Sequence, residues 1–205
     1  MTKNLELKDF MNGKVDAASI KNKYLKDVTK KSKNTRITFL TPNVVGSKSQ
    51  ARRVQPPLGI ACLAGVLDEY GFNKLQIIDS SAEGYNEVRD LEGDFIEFGL
   101  KDEDVIKKLN NFQPHIVGIS ALFSSQFGCA ERIGKEIKKK FPNTILVYGG
   151  IHASKEYDNI LKENRYIDYI ITGEADYTFT VFCDLFEKKK NLKDCPSLAY
   201  FDEKE

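Results

Sequence analysis

The residues that could hold a ligand lie at the ends of apolar runs. Ile116-Val117-Gly118-Ile119-Ser120-Ala121-Leu122 ends on a small hydroxyl residue and runs into Phe123. After residues 123–148 a second apolar run ends on Gly149-Gly150-Ile151-His152. Thr41-Pro42, Asp79-Ser80 and Gly173-Glu174 close three more. Paired glycines let main chain approach a ligand closely, a helix starting after them aims amides at it, and Ser120 can donate or accept a hydrogen bond. Acids, one histidine and serines without an oriented base make no activated nucleophile, so a hydrolase is not supported. The glycine-rich dinucleotide fingerprint is missing after the first run, where Pro42-Asn43-Val44-Val45-Gly46 stands, and no lysine-containing phosphate loop occurs. NAD and ATP are disfavoured as ligands on that ground.

These ends need a scaffold, and the pattern supplies one. Strands are expected at residues 36–41, 75–79, 115–120, 144–148 and 169–172. Helices are expected between them: one opened by Pro56-Pro57 and closed by Gly71, one capped by Asp102 and stopped by Pro114, and others over 126–140, 155–164 and from Gly173 to Lys190. Short Val/Ile/Leu runs alternating with helices imply an α/β fold. The expectation is a doubly wound, parallel five-stranded sheet, flavodoxin-like or Rossmann-like, of order 2-1-3-4-5. In such sheets ligands sit at the carboxyl ends of the strands near the point where strand order reverses. Residues 80–100 read as a long irregular loop, and residues 197–202 as a strand without a partner.

The remaining chain bounds the function. The 205 residues carry a net charge of +1, which leaves no polybasic footprint for nucleic acid or anionic lipid. Nine lysines between Lys3 and Lys33 mark a polar N-terminal arm, in which Ile20, Tyr24, Leu25 and Val28 suggest one short helix packing loosely. No apolar run reaches the roughly 20 residues of a membrane span, and the N-terminus lacks a signal-peptide centre, so a cytoplasmic location is expected. Cys62, Cys129, Cys183 and Cys195 lie too far apart in sequence for metal-site or cluster spacing. The expected units are residues 1–34 (arm), 35–192 (ligand-binding domain) and 193–205 (the start of a linker toward an absent C-terminal domain).

Ser120-Ala121-Leu122, the 26 residues 123–148 and Gly149-Gly150 resemble the serine-x-leucine and glycine-glycine portion of the cobalamin-binding motif. Pro57-Leu58-Gly59-Ile60-Ala61-Cys62-Leu63-Ala64, Pro114 to Ser120, Gly149-Gly150-Ile151-His152 and Gly173-Glu174-Ala175-Asp176-Tyr177-Thr178-Phe179 resemble the N-terminal domain of cobalamin-dependent radical S-adenosylmethionine enzymes. The resemblance covers residues 36–202 and implies cobalamin as cofactor, with Pro57, Leu58 and Gly59 joining the strand-end residues around it. Ser120 would face the corrinoid or cap the next helix. His152 would bond corrin amides or cap its helix, and Glu174 would meet the cofactor edge or complement a helix dipole.

The sequence also departs from related patterns. Cobalamin domains typified by methionine synthase carry an aspartate-x-histidine-x-x-glycine element after the first strand, but residues 43–59 contain no histidine. The resemblance therefore implies cobalamin bound without a histidine lower ligand, and no protein metal ligand. The Cys-x-x-x-Cys-x-x-Cys motif is missing too. S-adenosylmethionine and the 4Fe-4S cluster would then belong to a radical domain, in cis or as a partner in trans, and the expectation is a non-catalytic domain of a methyltransferase. The alternative is a stand-alone corrinoid carrier or cobalamin sensor that docks to a partner protein, with the Lys-rich arm as its docking element.

Overall fold

The computed structural model describes residues 2–4 and 17–202. Its elements are β1 (Thr2–Asn4), α1 (Ala17–Tyr24), β2 (Ile37–Thr41), β3 (Val44–Ser47), α2 (Leu58–Glu69), β4 (Leu75–Asp79), α3 (Ser80–Glu83), β5 (Val88–Asp90), β6 (Phe95–Phe98), α4 (Asp102–Phe112), β7 (Ile116–Ser120), α5 (Ser124–Lys140), β8 (Ile145–Gly149), α6 (Ile151–Glu163), β9 (Tyr169–Ile171), α7 (Asp176–Glu187), a 3-10 turn (Leu192–Asp194) and β10 (Leu198–Phe201).

Alternation along the strands builds two cores. Ile37, Phe39, Ile116, Val147 and Ile171 point to one face, against Ile60 and Leu67 of α2, Phe179 and Phe182 of α7 and Ile20 of α1. Leu40, Val117, Ile119, Leu146, Tyr148 and Ile170 point to the other, against Val105 and Leu109 of α4, Ile133 and Ile137 of α5, and Ile160 of α6. Both faces are covered because parallel strands need crossovers, and helices supply them.

The expected five-stranded sheet is in fact seven-stranded, in the order β1-β10-β9-β8-β7-β2-β4. The block β4-β2-β7-β8-β9 is parallel. The run at 197–202, expected to lack a partner, becomes β10: it pairs antiparallel with β9, Leu198 opposite Ile171, and with β1, Phe201 opposite Thr2. A chain segment can cap a sheet edge from any distance in sequence, which local pattern does not report.

Residues 80–100 are likewise not an irregular loop. They hold α3 and the hairpin β5–β6, which with β3 forms a second sheet of order β3-β6-β5. Gly93, at φ +66, turns the hairpin. Arg89 and Glu97 are register partners across it, so the charges that disguised the strands form a cross-strand ion pair at 3.0 Å.

The arm does not pack loosely. Ile20, Leu25 and Val28 are buried in the first core. Lys33 Nζ donates to the Tyr70 carbonyl at 2.6 Å, and Gly71 (φ +84) lies so close to the Lys31 carbonyl that a Cβ would stand 2.1 Å from it. The lysines among residues 5–16 fall outside the described residues. Asp102, expected as a helix cap, is instead the first residue of α4 and pairs with Arg132. Among the described residues no helix is long and apolar enough to cross a membrane.

Candidate functional site

A cleft of about 550 Å³ opens at the carboxyl ends of β2, β4, β7, β8 and β9. It descends between the first sheet face and helices α2 and α7, where Phe39 and Phe179 lie with ring centroids 5.2 Å apart. Two glycines keep it open. A Cβ on Gly118 would stand 3.1 Å from the Phe39 ring and 3.6 Å from that of Phe179, while one on Gly149 would meet only the Ile171 carbonyl, at 3.8 Å. Both positions share the cleft-side parity of their strands, so any larger residue would project into the space.

Of the expected residues, Thr41, Pro42, Pro57, Leu58, Gly59, Asp79, Ser120, Leu122, Phe123, Gly149, Gly150, Gly173 and Glu174 line this cleft. The Ser120 hydroxyl makes no hydrogen bond among the described residues, and α5 has no side-chain cap, so the capping alternative for Ser120 does not hold. Gly150 adopts φ +108, ψ 173, and a Cβ there would meet the Ala121 carbonyl at 2.8 Å. That backbone turn starts α6 at Ile151, earlier than the pattern indicates.

Three expected residues do not line the cleft. Ser80 is buried; its hydroxyl donates to Asn43 Oδ1 and accepts from the Leu100 amide at 3.1 Å. His152 turns sideways toward α5, its Nδ1 3.0 Å from Ser124 Oγ and its ring edge-on to Phe127. Ile151 is largely exposed outside the cleft wall. Each follows a strand or glycine turn closely, and the helical twist there decides which way it points.

Sequence reasoning missed the cleft's apolar interior: Phe39, Ile60, Leu63, Val147, Ile171 and Phe179. Each carries the signature of ordinary core, and only the missing side chains at Gly118 and Gly149 separate wall from core. Arg53 stands at the mouth, and Arg52 stacks on Tyr85, 4.4 Å from the ring centroid. Leu58 is 74% exposed and joins exposed Leu122 and Phe123 in an apolar rim.

The cleft mouth is braced by the second sheet. Burial of Glu97 would raise its carboxyl pKa, but hydrogen bonds from Arg132 and Asn43, the Arg132 charge and a bond from Arg89 hold it at about 2. Arg132 reaches Glu97 at 2.6 and 2.9 Å and also Asp102 at 2.8 Å, and Asn43 Nδ2 reaches Glu97 at 2.6 Å. Nearby, burial pushes the Cys129 thiol up to about 11, which keeps it protonated and inert. Among the described residues no three His, Cys, Asp or Glu side chains are grouped to hold a metal ion.

The model of the B12 binding domain family matches residues 48–182. The chain is 30% identical over 151 residues to cytidylyl-2-hydroxyethylphosphonate methyltransferase of Streptomyces wedmorensis, covering 73% of this chain and 28% of that protein. It is 28% identical over 141 residues to the anaerobic magnesium-protoporphyrin IX monomethyl ester cyclase of Rubrivivax gelatinosus, covering 69% of this chain and 22% of that protein. Its fold resembles that of the cobalamin-dependent S-adenosylmethionine radical enzyme OxsB with aqua-cobalamin bound. The TM-score is 0.61 at 20% identity, over 83% of this chain and 21% of that one. The chain thus spans about a quarter of the length of these relatives.

Proposed function

From a chain that belongs to the B12 binding domain family, we propose a cofactor domain that holds cobalamin for a radical S-adenosylmethionine enzyme, a methyltransferase or a related enzyme. Cobalamin is its cofactor, and the tail of the corrinoid would enter the cleft. The observation that carries the reading is the cleft itself: about 550 Å³, lined by the contacting rings of Phe39 and Phe179 and bordered by Gly118 and Gly149, which have no side chains to fill it. A flat heteroaromatic base suits such a slot, because apolar faces bury it without unpaired polar groups.

The polar complement is small and placed at the rim. Ser120 offers an unengaged hydroxyl, the main chain at Gly149 and Gly150 is approachable, and Leu58, Leu122 and Phe123 present an apolar surface at the mouth. His152 is bound to Ser124 and faces away from the cleft, which fits a site that gives cobalt no histidine. When bound, cobalamin supplies a cobalt centre that can take up and pass on a methyl group. The domain's own residues would bind and orient it and keep water from the base, while a radical domain or partner chooses the substrate.

The test is to mix the purified chain with hydroxocobalamin, desalt it and record the visible spectrum. The expected result is corrinoid retained with a spectrum that lacks histidine-nitrogen coordination. A colourless protein fraction would overturn the assignment. A histidine-coordinated spectrum would overturn the part concerning the lower ligand.

A further inference from the structure

The carboxylate of Asp79 ends β4 at the cleft wall, and among the described residues all of its hydrogen bonds fall on one oxygen. Thr41 Oγ1 donates to Oδ1 at 2.9 Å, Ser81 Oγ at 3.0 Å and the Ala82 amide at 3.3 Å. Asp79's own amide is occupied by Glu83 Oε1 at 3.0 Å, and Glu83 in turn pairs with Lys108. No cation among the described residues pairs with Asp79. Among the described residues its Oδ2 therefore has no donor, although Asp79 and Thr41 both line the cleft.

Capping the four-residue helix α3 explains the bond to Ala82 but not the rest. Asparagine or serine would cap as well, and neither the charge nor the Thr41 brace is needed for that. An ionised carboxylate only accepts, so it selects a donor and repels a phosphate. An acid near the second strand of an open parallel sheet is well placed for a sugar hydroxyl. Among the polar groups of cobalamin's nucleotide tail, the ribose hydroxyls are donors and the phosphodiester is an anion.

We propose that Asp79 is a specificity residue that accepts a hydrogen bond from a ribose hydroxyl of the nucleotide tail, so that the cleft prefers complete corrinoids over those lacking the nucleotide. This rests on the cobalamin assignment above. Thr41 and Ser81 are positioning residues, which aim the carboxylate by holding its other oxygen.

Titration of the chain with hydroxocobalamin and with cobinamide, which lacks the nucleotide, tests this. The wild type is expected to favour cobalamin. Asp79→Asn, which keeps the capping oxygen and the side-chain shape, should weaken cobalamin roughly tenfold or more and leave cobinamide unchanged. Thr41→Val should lower the same preference by less. A wild type that binds both equally, or an Asp79→Asn variant that loses both equally or neither, would overturn the proposal while the cobalamin assignment stood. A wild type that retains neither corrinoid would overturn both.

Discussion

Arg132 Nη2 lies 2.6 Å from Glu97 Oε1, and this pair fastens helix α5 to the small sheet that flanks the cleft mouth. Glu97 is 6% exposed, so its charge has little water to fall back on. A carboxyl held at about 2 when folded, against an ordinary value of 4.5, contributes stability that is present above the ordinary value and lost as pH falls through the folded one. Wild-type stability should therefore drop between about pH 4.5 and 2. Glu97→Gln should lower stability at pH 7 by about 2 kcal/mol and flatten that drop, as read by denaturant titration across pH.

Gly149 offers a way to block the cleft without disturbing the fold. Its Cβ would meet nothing closer than 3.8 Å, so Gly149→Leu should fold with a melting temperature close to the wild type. The leucine would occupy the slot, and hydroxocobalamin should no longer survive desalting. Retention at the wild-type level would place the cofactor elsewhere.

His115 lies at the opposite end of the sheet, where its Nδ1 accepts the Arg36 amide proton at 3.0 Å. Burial lowers its pKa, followed by the Arg36 charge, with Glu187 opposing and Lys74 adding. A histidine lowered on folding contributes stability that is complete above its unfolded value of 6.5 and lost as pH falls through the folded one. His115→Gln should flatten the stability profile on the acid side of about pH 6.5. Thermal melts in a pH series read this separately from the Glu97 effect, which lies lower.

Ile20 tests whether the N-terminal segment is part of the core. It is 1% exposed and packs on the cluster of α2 and α7. Ile20→Ala should cost about 3 kcal/mol in denaturant unfolding. A change below about 0.5 kcal/mol, typical of an exposed site, would show that α1 is dispensable.

Much of the scaffold was legible because its signals are local. Ile37 to Thr41, Ile116 to Ser120 and Ile145 to Gly149 are short, apolar and bounded by turn residues, and the helices between them carry their caps and apolar stripes in sequence. The corrinoid assignment rested on resemblance, since Ser120-Ala121-Leu122 and Gly149-Gly150 match part of the cobalamin-binding motif; spacing alone indicated only a ligand crevice at the strand ends. The hairpin was not legible, because Arg89 and Glu97 look like loop charges until they face each other. Ser80 and His152 were placed in the cleft because they follow strand ends, yet their hydrogen bonds to Asn43 and Ser124 carry them elsewhere.

By itself the sequence determined the α/β class, the parallel strands and the glycine-ended runs at their carboxyl ends, since propensity, periodicity and turn chemistry act over a few residues. Only the tertiary structure decided that Phe39 and Phe179 border a cleft as well as packing in the core, that β10 and β1 extend the sheet, and that Asp79 lines the cleft with its bonds to Thr41, Ser81 and Ala82 all on Oδ1. Those outcomes depend on which side chains from distant elements meet, and on the space left where Gly118 and Gly149 have no side chain to contribute.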